Sequence, residues 1–169
     1  LISSWLIKNN ISVLSEDSLS INNSDKIAQL INLIKLKINN QDQEARAIII
    51  SSLANFNKPK DQFLFYKNNL NNDIESFFEN LNIFALLKAF EMPFFESVDF
   101  FIKELKMDVN NTDPYILFFR EIVYEQGFKE KNNEKEFLVF WRKNNKKIKI
   151  PSGSSKSAIK VLTIHKAKG

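Results

Sequence analysis

Residues 113–127 read Asp-Pro-Tyr-Ile-Leu-Phe-Phe-Arg-Glu-Ile-Val-Tyr-Glu-Gln-Gly. The Asp113-Pro114 pair opens a helix, because the carboxylate accepts an orphan backbone N–H and proline stands where its missing N–H costs nothing. Tyr115, Ile116, Phe119, Ile122 and Val123 then fall on one stripe at helical spacing, and Gly127 closes the segment. The same pattern recurs on both sides. From Ser24, a capping residue, Ile27, Leu30, Ile31, Ile34 and Ile38 recur at helical spacing, and a second helix follows Asp42 with Ala45, Ile48, Ile49, Ser52, Leu53 and Phe56 along one stripe. Shorter helical pieces cover 61–70, 73–81 and 82–91. Pro93 interrupts the pattern, and Ser97 is expected to cap a segment carrying Phe100, Phe101 and Leu105. A last helix near 133–144 presents Phe137, Phe140 and Trp141 at i, i+3 and i+4. The fold class is mainly α.

All sixteen phenylalanines fall between Phe56 and Phe140. Aromatic stripes on helices can stack nucleic-acid bases, but in a stretch with few other large side chains they read as core. The pairs at 77–78, 94–95, 100–101 and 118–119 cannot all face inward on one helix, so some are expected to seal a neighbouring domain or a partner. The two ends differ from this middle. Ile11-Ser-Val-Leu-Ser15, after a short helix with Trp5 and Leu6, and Ile159-Lys-Val-Leu-Thr-Ile164 read as short β-strands of a parallel sheet, and PSGSSKS at 151–157 reads as a loop.

With 169 residues the chain can bury roughly 70% of its unfolded surface without staples. The absence of cysteine removes disulfides, thiol nucleophiles and cysteine-ligated zinc, and the single histidine, His165, rules out a histidine-based metal cage. No run of about 18 apolar residues marks a membrane span. The first residues, LISSWLIKNN, lack the marks of a signal peptide and begin without Met, so the chain is expected to be a piece of a longer protein. The heavy use of Asn, Lys and Ile is what an AT-rich coding bias would produce without any functional cause, and it carries no functional weight.

The net charge of +4 hides an uneven distribution. Nine Lys and Arg residues and no acid lie in 141–169, which leaves fifteen basic and twenty acidic residues in 1–140. Such a segment attracts polyanions, or else serves as a solvated connector. Gly153-Ser-Ser-Lys-Ser157 has a Lys-Ser pair but lacks the glycines of a phosphate-cradling loop. No acidic cluster has the look of a two-metal site, and Ser/His/Asp catalysis would have to recruit His165 from a lysine-rich tail. The chain is expected to hold no catalytic residue, no metal site and no cofactor of its own.

Val161-Leu-Thr-Ile-His-Lys-Ala-Lys-Gly169 is a buried-strand pattern that delivers Thr, His, Lys and Gly at its carboxyl end, the edge where ligands bind in parallel α/β sheets. Hydroxyl and imidazole can bond phosphate oxygens, Lys supplies charge, and Gly permits close backbone approach. The segment resembles motif V of superfamily-1 DNA helicases of the UvrD/Rep type, T-x-H-x-x-K-G, through Thr163, His165, Lys168 and Gly169. The start, LISSWLIKNNISVLSEDSL, is similar to the helix-strand segment after motif IV in the RecB/AddA-like branch. In that branch a largely helical accessory subdomain is inserted into the second motor lobe between motifs IV and V.

The resemblance implies 1–20 as a fragment of the second motor lobe, 21–150 as the inserted helical accessory domain, and 151–169 as linker, strand and motif V, with the terminal strands belonging to an α/β motor lobe. It implies an ATP-dependent 3′–5′ DNA helicase or helicase-nuclease, acting in double-strand-break repair and recombination in a bacterial cytoplasm, as the parent of this chain. ATP and Mg2+ are implied for the parent only. Partners would be DNA, the remaining motor domains and other subunits of a helicase-nuclease complex, with no membrane. Thr163 and His165 would face the DNA backbone and Lys168 and Gly169 the nucleotide, while Lys143, Lys146 and Lys147 are added to the DNA contacts on charge. Two other readings stay open: a helical protein-interaction module without a DNA role, and a stand-alone nucleic-acid-binding domain that uses 141–169.

Overall fold

A computed structural model describes residues 13–14, 20–57, 61–110, 112–128, 133–150 and 159–160. The chain divides into two compact units, Ser24–Lys143 and the pair of segments Leu1–Asn23 with Asn144–Gly169. The described residues are mainly helical.

The first unit is built from helices α1 (Asp25–Ile38), α2 (Gln43–Asn57), α3 (Gln62–Asn71), α4 (Ile74–Asn80), α5 (Phe94–Glu104), α6 (Pro114–Phe128) and α7 (Glu134–Asn144, whose last residue falls in the other unit), with a 3-10 helix at Phe84–Phe90. An Asp or Asn side chain opens five of them. Asp42 accepts the Ala45 N–H at 2.9 Å, Asp61 that of Leu64 at 2.9 Å, and Asp73 that of Ser76 at 2.8 Å. Asp113 accepts from Tyr115 and Asn133 from Lys135, at 3.0 and 3.1 Å. Each bond satisfies a donor that the first helical turn would otherwise leave unpaired.

Helix α1 lies at the centre. It packs against α2, α5 and α6, and Ile27, Leu30, Ile31, Leu33, Ile34 and Leu36 are all buried. Burial on this many sides is why the sequence stripe, which named only one face, missed Leu33 and Leu36. Ser24 stands at the N-cap position with extended backbone, but its side chain makes no capping bond. Two lysines tie the ends of α1 to its neighbours. Near the start, Lys26 Nζ donates to the Met107 carbonyl at 2.6 Å and to the Asp113 carboxylate. In the last turn, Lys37 Nζ donates to the Met92 carbonyl and pairs with Glu134 at 2.6 Å, where it is only 7% exposed.

Three expectations change here. Helix α5 begins at Phe94 directly after Pro93, whose extended backbone (φ −55°, ψ 154°) serves as the N-cap. Ser97 is therefore inside the helix, fully buried, with its hydroxyl donating to the Phe94 carbonyl at 2.7 Å. Among the described side chains of α2 the buried positions are Ala45, Arg46, Ile49 and Ile50, while Ile48, Ser52 and Leu53 are half-buried, and the Phe56 side chain lies outside the described ones. The segment 84–90 is a 3-10 helix, tighter than the α-helix that the sequence spacing predicts.

Six of the described phenylalanines and Trp141 are buried in the core, while Phe63, Phe84 and Tyr124 are exposed. Phe137 and Trp141 of α7 meet Phe119 of α6 edge-on, with ring centroids 6.0 and 5.4 Å apart, and Phe137 lies 5.0 Å from Phe94 of α5. Phe77 and Phe78, adjacent in sequence, are both fully buried, because Phe78 meets Phe90 edge-on at 5.5 Å while Phe77 lies beneath the Arg46 guanidinium at 4.8 Å. In the pairs 94–95, 100–101 and 118–119 one ring is buried and the other half-buried.

In the second unit, Val13–Leu14 and Ile159–Lys160 pair in parallel, with Val13 opposite Ile159 and Leu14 opposite Lys160. Ser20 forms an antiparallel bridge with Lys149, and Ile21–Asn23 makes a 3-10 turn. The rest of the runs 11–15 and 159–164, the helix around Trp5 and Leu6, and the loop 151–157 lie outside the described residues.

Candidate nucleic-acid interface

The basic segment begins in the last turn of α7, where Arg142 and Lys143 are exposed and their charge complements the helix C-terminus. Lys143 belongs to the helical unit. Lys146 and Lys147, with Lys149, belong to the other unit, and all three are exposed.

The backbone that carries them is held in place. The Lys147 and Ile148 N–H groups donate to the Asn144 carbonyl at 2.8 and 3.2 Å, and the Ile21 N–H donates to the Ile148 carbonyl at 3.3 Å. The Asn22 side-chain amide reaches the Asn145 side-chain oxygen at 3.4 Å. Ile150 is buried at 6% exposure and Ile148 is half-buried, so apolar and basic side chains alternate through Lys147-Ile148-Lys149-Ile150. Charge counting alone overlooked Ile148 and Ile150. Their period-two spacing inside a lysine run was the available signal of an anchored segment. The arrangement presents ammonium groups on a fixed backbone, which is the chemistry of a phosphate contact.

Thr163, His165, Lys168 and Gly169 lie outside the described residues.

Elsewhere the described residues offer little chemistry. A groove of about 590 Å³ is lined by Lys26, Gln29, Ile48, Ser51, Leu53 and Leu105 among others, and contains no nucleophile paired with a base. A second, of about 530 Å³, is lined by Asp99, Lys103, Lys106, Asp108 and Arg120. There Asp99 is held by Arg120 through two bonds of 2.8 and 3.1 Å, and one Asp108 oxygen accepts the backbone N–H groups of Thr112 and Asp113. The other Asp108 oxygen is enclosed without a partner among the described residues. Among the described residues no group of three or more His, Cys, Asp or Glu could hold a metal ion, and no helix is long and apolar enough to cross a membrane.

No family model, no curated protein and no solved structure matches this chain.

Proposed function

We propose that the chain is an accessory-domain fragment of a RecB/AddA-like superfamily-1 helicase or helicase-nuclease, contributing DNA contact and regulation to a motor whose catalytic parts lie elsewhere in the parent. The observation that carries this reading is the sequence Thr163-Ile-His165-Lys-Ala-Lys168-Gly169 at the end of a strand pattern, joined to an acid-free basic segment. The division of the chain into Ser24–Lys143 and a unit formed by both ends is what an insertion between two parts of a motor lobe would produce. ATP and Mg2+ would serve the parent in a bacterial cytoplasm, and this chain by itself is expected to hydrolyse no ATP. DNA-stimulated phosphate release that disappears on mutation of this chain would overturn that expectation.

The DNA role is tested by titrating labelled duplex and single-stranded DNA at two salt concentrations. Binding should be weak and independent of sequence, with log affinity falling against log salt at about −0.9 per neutralised phosphate on duplex and about −0.7 on single strands. Replacing Lys143, Lys146 and Lys147 together by Gln should lower both affinity and slope. Changes at Thr163 or His165 should matter mainly in the complete motor. An unchanged affinity in the triple variant would make the segment a solvated connector. It would also favour a protein-interaction module, for which Phe63 and Leu64 at the start of α3, 78% and 51% exposed, are the specific observation.

A further inference from the structure

The reading of Lys146 and Lys147 as phosphate contacts leaves open whether the segment bearing them orders only when DNA arrives. A lysine run that orders only on binding loses affinity to the entropy of ordering. This one is already tied down inside its own unit by the Ile21–Ile148 and Lys147–Asn144 hydrogen bonds, the Ser20–Lys149 bridge and the buried Ile150. We infer that the 144–149 turn is a preformed platform for phosphodiester groups, presented by the 20–22 segment, and that Ile150, with the Asn22–Asn145 pair, acts to position Lys146 and Lys147. The inference rests on the DNA-contact reading and adds to it a division of labour. The lysines supply the charge, and residues that never touch phosphate supply its placement.

The physical consequence is that two kinds of variant move two different quantities. Removing a lysine removes a released counterion and so lowers the salt slope. Loosening the backbone leaves the charges in place and adds an ordering cost at binding, so affinity falls at a nearly unchanged slope. Ordering one backbone residue corresponds to about tenfold in affinity. Amide exchange on the intact chain reads the platform directly, because the Ile21, Lys147 and Ile148 amides are the donors that hold it.

The experiment uses the full chain and a short labelled duplex. Exchange at those three amides is followed with and without DNA, and affinity and salt slope are measured for wild type, for Lys146→Gln with Lys147→Gln, and for Ile150→Ala. The expected result is protection at all three amides before DNA is added, a lower slope in the lysine variant, and about tenfold weaker binding at the wild-type slope in Ile150→Ala. Amides that exchange freely until DNA protects them would overturn the preformed platform while leaving the DNA reading intact, provided the lysine variant still lowers the slope. If the lysine variant binds as wild type does, the DNA reading fails and the platform with it. Should Ile150→Ala fail to fold, the wild-type exchange pattern decides alone.

Discussion

Arg46 shows what a single buried charge can organise. Its side chain is fully buried, yet among the described residues it forms no ion pair and is held by backbone carbonyls instead. Nε and one terminal nitrogen donate to Asn40, and the other terminal nitrogen donates to the carbonyls of Asn69, Leu70 and Asn72 at the end of α3, while the guanidinium plane lies over Phe77. Burial pushes its pKa down from the ordinary value, and the Asp73 carboxylate pushes back. The negative end of the α3 dipole favours the cation there as well. No sequence pattern could show this, since the acceptors are backbone atoms and, Asn40 apart, lie 23 to 26 residues downstream. Arg46→Met should lower stability by about 3 kcal/mol in urea unfolding, because several buried carbonyls lose their donors at once. Arg46→Lys should recover only part, as one ammonium cannot span both sets of acceptors. Wild-type stability in Arg46→Met would mean that water reaches those carbonyls. A gain is expected at Lys106, which sits at φ 48°, where a β-carbon is crowded. Lys106→Gly should raise stability by about 0.5–1 kcal/mol, more than Asn82→Gly at φ 58°, since asparagine tolerates the left-handed region better.

At the scale of the element, helix starts were legible and helix faces only partly so. Asp42, Asp113 and the start near 133 stood in the sequence because an N-cap is a local event that needs one side chain and the next turn. Ser97 misled for an equally local reason, since Pro93 already fixes the chain direction and lets the helix begin four residues earlier. The face that a helix buries depends on what surrounds it, which is why α1 conceals more sides than its stripe announced and α2 turns Arg46 inward. Asp113 both caps α6 and receives Lys26, so Asp113→Ala should cost about 1–2 kcal/mol, and Asp113→Asn should keep most of the cap while losing the ion pair. The Asp73 cap gives a pH signature. The Ser76 N–H and then the Ser76 hydroxyl hold its carboxyl below the ordinary value of 3.8. Its contribution is complete above that value and disappears as pH falls through the lower folded one. The acid-side loss of stability should therefore be shallower in Asp73→Asn, and identical pH profiles for the two proteins would count against the cap as its source.

For the whole molecule, composition divided the chain before any contact was known, because phenylalanine is confined to 56–140 and basic charge to the end. What composition could not supply is how the seven described helices share one core. That depends on long-range pairings such as Lys26 with Asp113 and Lys37 with Glu134, which fix the two ends of α1 against the starts of α6 and α7, far along the chain. Among the described residues, every buried apolar side chain except Ile21 and Ile150 lies within Ser24–Lys143. Since burial of apolar surface is the dominant favourable term in folding, that stretch holds nearly all of the driving force visible here and should need nothing outside it. A protein comprising Ser24–Lys143 alone is expected to give a helical far-ultraviolet spectrum and one cooperative urea transition. Trp141 is its only tryptophan and stacks in the Phe119–Phe137 cluster, so it reports on the packing of α6 and α7. Its fluorescence should change at the same urea concentration as the helical signal. Separate midpoints would show that the aromatic cluster melts apart from the rest. A broad, non-cooperative transition would show that the helical unit depends on the segments that flank it.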